Sequence, residues 1–176
     1  MEFQLKSISA DGIPEALAKV ERYRLLNEPT LAESICLDIL SIEPDNQQAL
    51  VALLLARTDQ FDLSMNSRGA QDVLEQIKGE YEHAYYRGIV LERLGHARIR
   101  QGMPGSSGAA YYALREAMAE YEKAAPFSQP GNDDAILRWN TCARTIMQNP
   151  EIEPSSDNTY VDAWLSDEAN SRIADA

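Results

Sequence analysis

Basic residues are scarce in this chain. Sixteen Lys and Arg stand against 28 Asp and Glu, a formal net charge of −12 over 176 residues. Proteins that hold phosphate backbones do so with clustered Lys and Arg, so the balance argues against a general nucleic-acid binder. Histidine and cysteine are rarer still, with two of each. Neither His83 nor His96 has a Cys, Ser or second His at a useful local spacing. The usual routes to nucleophilic catalysis and to metal ligation are therefore not written in the chain. Cys36 and Cys142 lie far apart on helix-like segments, without a CxxC pattern, and read as small buried apolar residues of a reduced compartment. No apolar run reaches membrane-spanning length, and no charged start with an apolar stretch and cleavage site follows Met1. The expectation is a soluble cytoplasmic protein that is not an enzyme and carries no cofactor or metal.

What is present is helical. In LAESICLDILSIEPDNQQALVAL, residues 31–53, Ala32, Cys36 and Ile39 fall at i, i+4 and i+7, and Leu40 widens the stripe. Pro44 cannot continue that helix, and Asp45 or Asn46 can cap the next. Upstream, Pro14 suits a first helical position, and Leu17, Val20 and Leu25 mark the buried side of a helix ending near Asn27. So few residues separate these two helices that they must form a hairpin. HAYYRGIVLERLG, residues 83–95, places Gly88 where a neighbouring helix can approach and Gly95 at its end. AMAEYEKAAPFSQPGND, residues 117–133, repeats the small-large-small spacing in Ala117, Tyr121 and Ala124, as do Ala70, Leu74 and Ile77.

These spacings resemble the tetratricopeptide repeat, a helix–turn–helix unit of about 34 residues. The resemblance implies an all-α fold: a right-handed α-solenoid of about three imperfect hairpins plus a closing helix. The predicted organisation is an arm over residues 1–12, the repeat domain over 13–149 and an acidic tail over 150–176. Repeat two is looser, with extra residues around 61–68. Repeat three carries the inserted segment QGMPGSSG, residues 101–108, between its helices. That segment lacks the Lys of a phosphate-binding loop and no strand precedes it, so it reads as a flexible linker.

Such arrays bind through a concave groove lined by the first helix of each repeat. Carried over residue by residue, that groove would include Leu17, Glu21, Val51, Leu55, Tyr85 and Ile89, a surface suited to an apolar peptide or amphipathic helix. The competing expectation is that Leu17, Leu55 and Ile89 pack between repeats. One version of the family clamps acidic C-termini with Lys, Asn and Arg. The corresponding places here hold Leu17, Glu21, Ala52, Glu82 and Tyr86, which cannot hold a carboxylate pair.

The basic residues that do occur are grouped. Arg87, Arg93, Arg98 and Arg100 lie close together, with Glu92 the only acid between them. They either pair with the chain's own acids or hold an acidic ligand. In the closing helix, DDAILRWNTCARTIMQ, Asn132 precedes as an N-cap, Ile136, Cys142 and Ala143 are expected to face the core, and Arg138 shares a side with Arg144. The tail carries seven acids against one Arg, yet Tyr160, Val161, Trp164 and Leu165 fall at helical spacing. It is expected either to seal the last repeat or to act as a ligand for the groove through Tyr160, Trp164 and Leu165.

The function expected is a non-catalytic adaptor that binds a peptide or amphipathic helix of another protein, without nucleic-acid or membrane partners. Its size, acidity and apolar groove are similar to those of chaperones of bacterial secretion systems. The alternative is an accessory or regulatory subunit that reads an acidic ligand through Arg93, Arg138 and Arg144.

Overall fold

The structure, a computed structural model, describes residues 3–61, 68–102 and 105–154. Those residues are all-helical, with no strand among them. They divide into two compact units, Met1–Tyr86 and Arg87–Ala176.

In the first unit a 3₁₀ turn, Ala10–Gly12, leads into α1, Ile13–Leu25. Pro14 sits in the first turn, where its missing N–H costs no hydrogen bond. Asn27 then takes a left-handed backbone, φ 59°, which its short polar side chain tolerates. Three residues separate the end of α1 from Pro29, which opens α2, Pro29–Ile42, and α2 folds back along α1. Ala32, Cys36 and Ile39 form the fully buried stripe of α2, as their spacing predicts. Leu25 departs from expectation and is 88% exposed. It lies five residues beyond the buried Val20, about 140° further round the helix, and so falls off the buried face.

After α2, Asn46 caps α3, Gln47–Thr58, with its Oδ1 accepting from the Ala49 N–H at 3.0 Å. Five of the residues of α3, Ala49, Leu50, Leu53, Leu54 and Ala56, are buried core, and the helix packs on α1, α2 and α4, Arg68–Leu74. Arg57 ties three helices together. Its Nε pairs with Glu33 of α2 at 2.9 Å and its Nη1 donates to the Gly69 carbonyl of α4. Ala70, Val73, Leu74 and Ile77 complete this core.

α5, Glu80–Gln101, contains the boundary between the units. Gly95 does not end it. A Cβ there would lie 2.9 Å from Leu114 Cγ, so this glycine is a contact point and the helix runs on to Gln101. Gly88, seven residues earlier, meets the ring of Tyr121 in the same way. Both contacts are made with α6, Ser106–Ala124, whose buried face includes Gly108, Ala110, Ala113, Ala117 and Ala124, small enough for close approach. The connection between α5 and α6 is shorter than the segment read as a linker, because α6 already begins at Ser106; Gly102 and Gly105 both have positive φ. A 3₁₀ turn, Ala125–Phe127, ends α6. Asn132 Oδ1 then accepts from the Asp134 N–H at 3.0 Å at the start of α7, Asp134–Gln148. α7 packs on α6 along the line of Ala135 and Cys142. Ile136 lies about 100° round the helix from that line and is exposed rather than inward. Among the described residues no helix is long and apolar enough to cross a membrane.

Candidate functional site

The first unit carries an open concavity of about 780 Å³. Its lining comes from one face of α1 and one face of α3, and each face follows from helical spacing. On α1, Pro14, Leu17, Ala18 and Glu21 recur at i, i+3, i+4 and i+7, turned away from the core side marked by Val20. On α3, Gln48, Val51, Ala52 and Leu55 repeat the same offsets, with Leu50, Leu53 and Leu54 facing inward. Tyr86 closes the concavity from α5. The floor is therefore aliphatic, with one aromatic ring.

The charge around it is mostly negative. Glu21 and Glu43 both contribute to the lining. Glu21 is exposed and has no charged partner among the described residues, whereas Glu43 accepts from Asn46 Nδ2 at 2.8 Å. The one cation in the lining, Arg24, donates from Nε to Asp59 Oδ2 at 2.9 Å, so its charge is already matched. Apolar walls with a carboxylate rim can bind and orient a ligand that carries both apolar and cationic groups.

Of the residues expected to line a groove, Leu17, Val51 and Leu55 do share this concavity. Tyr85 does not line it. Its ring stacks on Tyr81 at 5.3 Å and meets Tyr86 edge-on at 5.3 Å, bracing the tyrosine that does. Consecutive residues point about 100° apart on a helix, so a Tyr-Tyr pair leaves open which ring faces the cleft. Ile89 is 2% exposed and sits in the core of the second unit, where it offers no area to a ligand. Glu43, Asn46 and Gln48 have no counterpart in the sequence expectation of the groove; Glu43 and Asn46 come from the α2–α3 turn, whose path spacing does not reveal, and Gln48 from the first turn of α3.

The basic group is largely spent on internal pairing. Arg87 Nε lies 3.5 Å from Glu120 Oε1, and Arg138 Nη1 lies 3.2 Å from Glu92 Oε1. Glu92 is only 4% exposed and also accepts from the Tyr121 hydroxyl at 2.6 Å. Burial and the adjacent Glu92 carboxylate push the Tyr121 phenol well above its ordinary value. His96 lies inside α5, 3.9 Å from Glu92. Burial lowers its pKa, and Arg100 and Arg138 work in the same direction against the pull of Glu92. Arg93 is partly buried and Arg144 exposed. The sequence signal for this network was the one acid in an apolar run, Val90, Leu91, Glu92, Leu94. Among the described residues no cluster of His, Cys, Asp and Glu could hold a metal ion. Tyr160, Trp164 and Leu165 lie outside the described residues. No protein-family model, curated protein or solved structure matches the chain.

Proposed function

We propose that the chain is a non-catalytic interaction protein built of tetratricopeptide-like hairpins, and that the α1–α3 concavity holds an apolar, positively charged segment of another protein. The observation that carries this reading is the aliphatic floor of Leu17, Val51 and Leu55 beside the unmatched Glu21. A helix laid into a groove anchors residues at i, i+3, i+4 and i+7, and the floor repeats that spacing on both of its walls. From Pro14 to Glu21 the α1 wall runs about 10 Å, nearly two turns of a bound helix. The packing of α1 directly on α3 supports the repeat reading, because first helices of successive hairpins meet in such arrays. A segment with Lys or Arg beside its apolar stripe would place a cation against Glu21. The alternative, an acidic ligand on the Arg-rich face, has less behind it, since Arg87 and Arg138 already pair with Glu120 and Glu92.

The test uses two amphipathic helical peptides that share an apolar face and differ only in Lys or Glu on the polar face. Fluorescence anisotropy should show the Lys peptide binding and the Glu peptide not. Leu17→Lys should abolish binding, and Glu21→Lys should shift the preference toward the Glu peptide. Equal binding of both peptides, or binding indifferent to Leu17→Lys, would defeat the proposal.

A further inference from the structure

The face of α7 turned away from α6 carries exposed apolar side chains among polar ones. Ile136 is 51% exposed, Leu137 60% and Met147 73%. Ile136 and Met147 are eleven residues apart, three turns of helix and nearly in line, so they end one line about 17 Å long on which Asn140 and Ala143, both half-buried, lie between them. Arg144 is exposed beside it. Below α7 the chain is held close to the helix. Asn149 Nδ2 donates to the Thr145 carbonyl at 2.6 Å, the Ile152 N–H donates to the Asn149 carbonyl at 2.9 Å, and Ile152 is buried. Residues 155–176 thus start from an anchored point a few residues past the end of α7.

We propose that residues 159–173 of this chain dock as an antiparallel helix on the Ile136–Met147 face of α7. Their sequence fits the face in length, pattern and charge. Val161, Leu165, Ala169 and Ile173 recur at four-residue intervals with Trp164 alongside, a stripe about 18 Å long. Residues 155–158 can span about 13 Å when extended, enough to reverse direction. With Val161 beside Met147 and Ile173 near Leu137, Asp162 comes close to Arg144. At the other end Arg172 comes close to Asp133 and Asp134. A parallel arrangement would instead set acid against acid. The α1–α3 concavity is the wrong host for this segment. Residues 155–176 carry five acids and one Arg, and the concavity presents Glu21 and Glu43. A tether holds the segment at about millimolar local concentration, which favours docking within one chain over exchange between copies. The docking is independent of what the concavity binds.

The full chain with Trp139→Phe leaves Trp164 as the only indole and tests the proposal. Trp164 should then emit as a buried indole and resist acrylamide quenching, unchanged on dilution. Leu137→Asp and Met147→Asp each alter an exposed residue at opposite ends of the stripe. Each should shift Trp164 to water-like emission and remove its protection while helicity of the described core persists; Leu17→Asp should leave both unchanged. Four results would overturn the proposal: a water-exposed Trp164 in the parent, protection that survives both α7 variants, protection lost with Leu17→Asp, which would place the segment in the concavity, or protection that falls on dilution, which would make the contact one between two copies.

Discussion

Tyr121 is the residue on which the second unit's packing converges. Its ring covers Gly88 of α5, and its hydroxyl donates to Glu92 one turn further along the same helix. Glu92 in turn holds Arg138 of α7, so one buried carboxylate links three helices. Because a carboxylate removed from water is costly unless its lone pairs are occupied, the ring position and the polar contacts stabilise one another. A Cβ at position 88 would stand 2.5 Å from Tyr121 Cε1, and the ring cannot retreat without lengthening its bond to Glu92. Gly88→Ala should therefore destabilise by about 1–3 kcal/mol, the usual cost of overpacking. That exceeds the gain of up to about 1 kcal/mol from replacing glycine inside a helix. Urea unfolding measures the balance. A raised midpoint would show that the ring yields without cost.

At the scale of the element, helix ends decide more than helix interiors. α3 is apolar on so many sides that hydrophobic spacing alone leaves its start open, and the start is set by Asn46 accepting from Ala49. Asn46→Ala should cost roughly 1 kcal/mol, and Asn46→Ser should recover most of it. If thermal unfolding finds the Ser and Ala variants equally weak, the cap bond is not the source of the stability. Gly95 shows the opposite case. A glycine near the end of a periodic segment reads as a stop, but the same absence of Cβ also permits close packing, and here Leu114 uses it. Local sequence does not distinguish the two uses. The partner helix does.

The whole chain places one thiol in each compact unit, Cys36 in the first and Cys142 in the second, both free and both buried. Desolvation pushes each thiol pKa up to about 12, so the thiolate that reacts with alkylating agents is suppressed while the fold holds. A thiol whose folded pKa is raised contributes stability below its unfolded pKa, near 9, and loses it as pH rises through the interval toward about 12. Labelling at pH 8 should thus be slow for both cysteines in the native protein and fast for each once its own core opens. Since the two thiols lie in different compact units, Cys36 and Cys142 should lose protection at different urea concentrations, read by mass spectrometry of the labelled peptides. Simultaneous exposure would mean the two cores open as one.

The amino-acid sequence by itself determined the helical class, the hairpin of α1 and α2 and the stripe of Ala32, Cys36 and Ile39. All of these rest on spacings within a few turns of helix, where geometry is nearly invariant. The resemblance to tetratricopeptide repeats, carried over residue by residue, also put Leu17, Val51 and Leu55 on one surface, and all three line the concavity. Tertiary structure decided the rest. It buried Ile89, left Leu25 and Ile136 in solvent, chose Tyr86 over Tyr85, and turned Arg138 inward to Glu92. Each of these depends on which neighbouring helix covers a given angular sector. A side chain's own periodicity says where it points, and only the neighbour says what it meets.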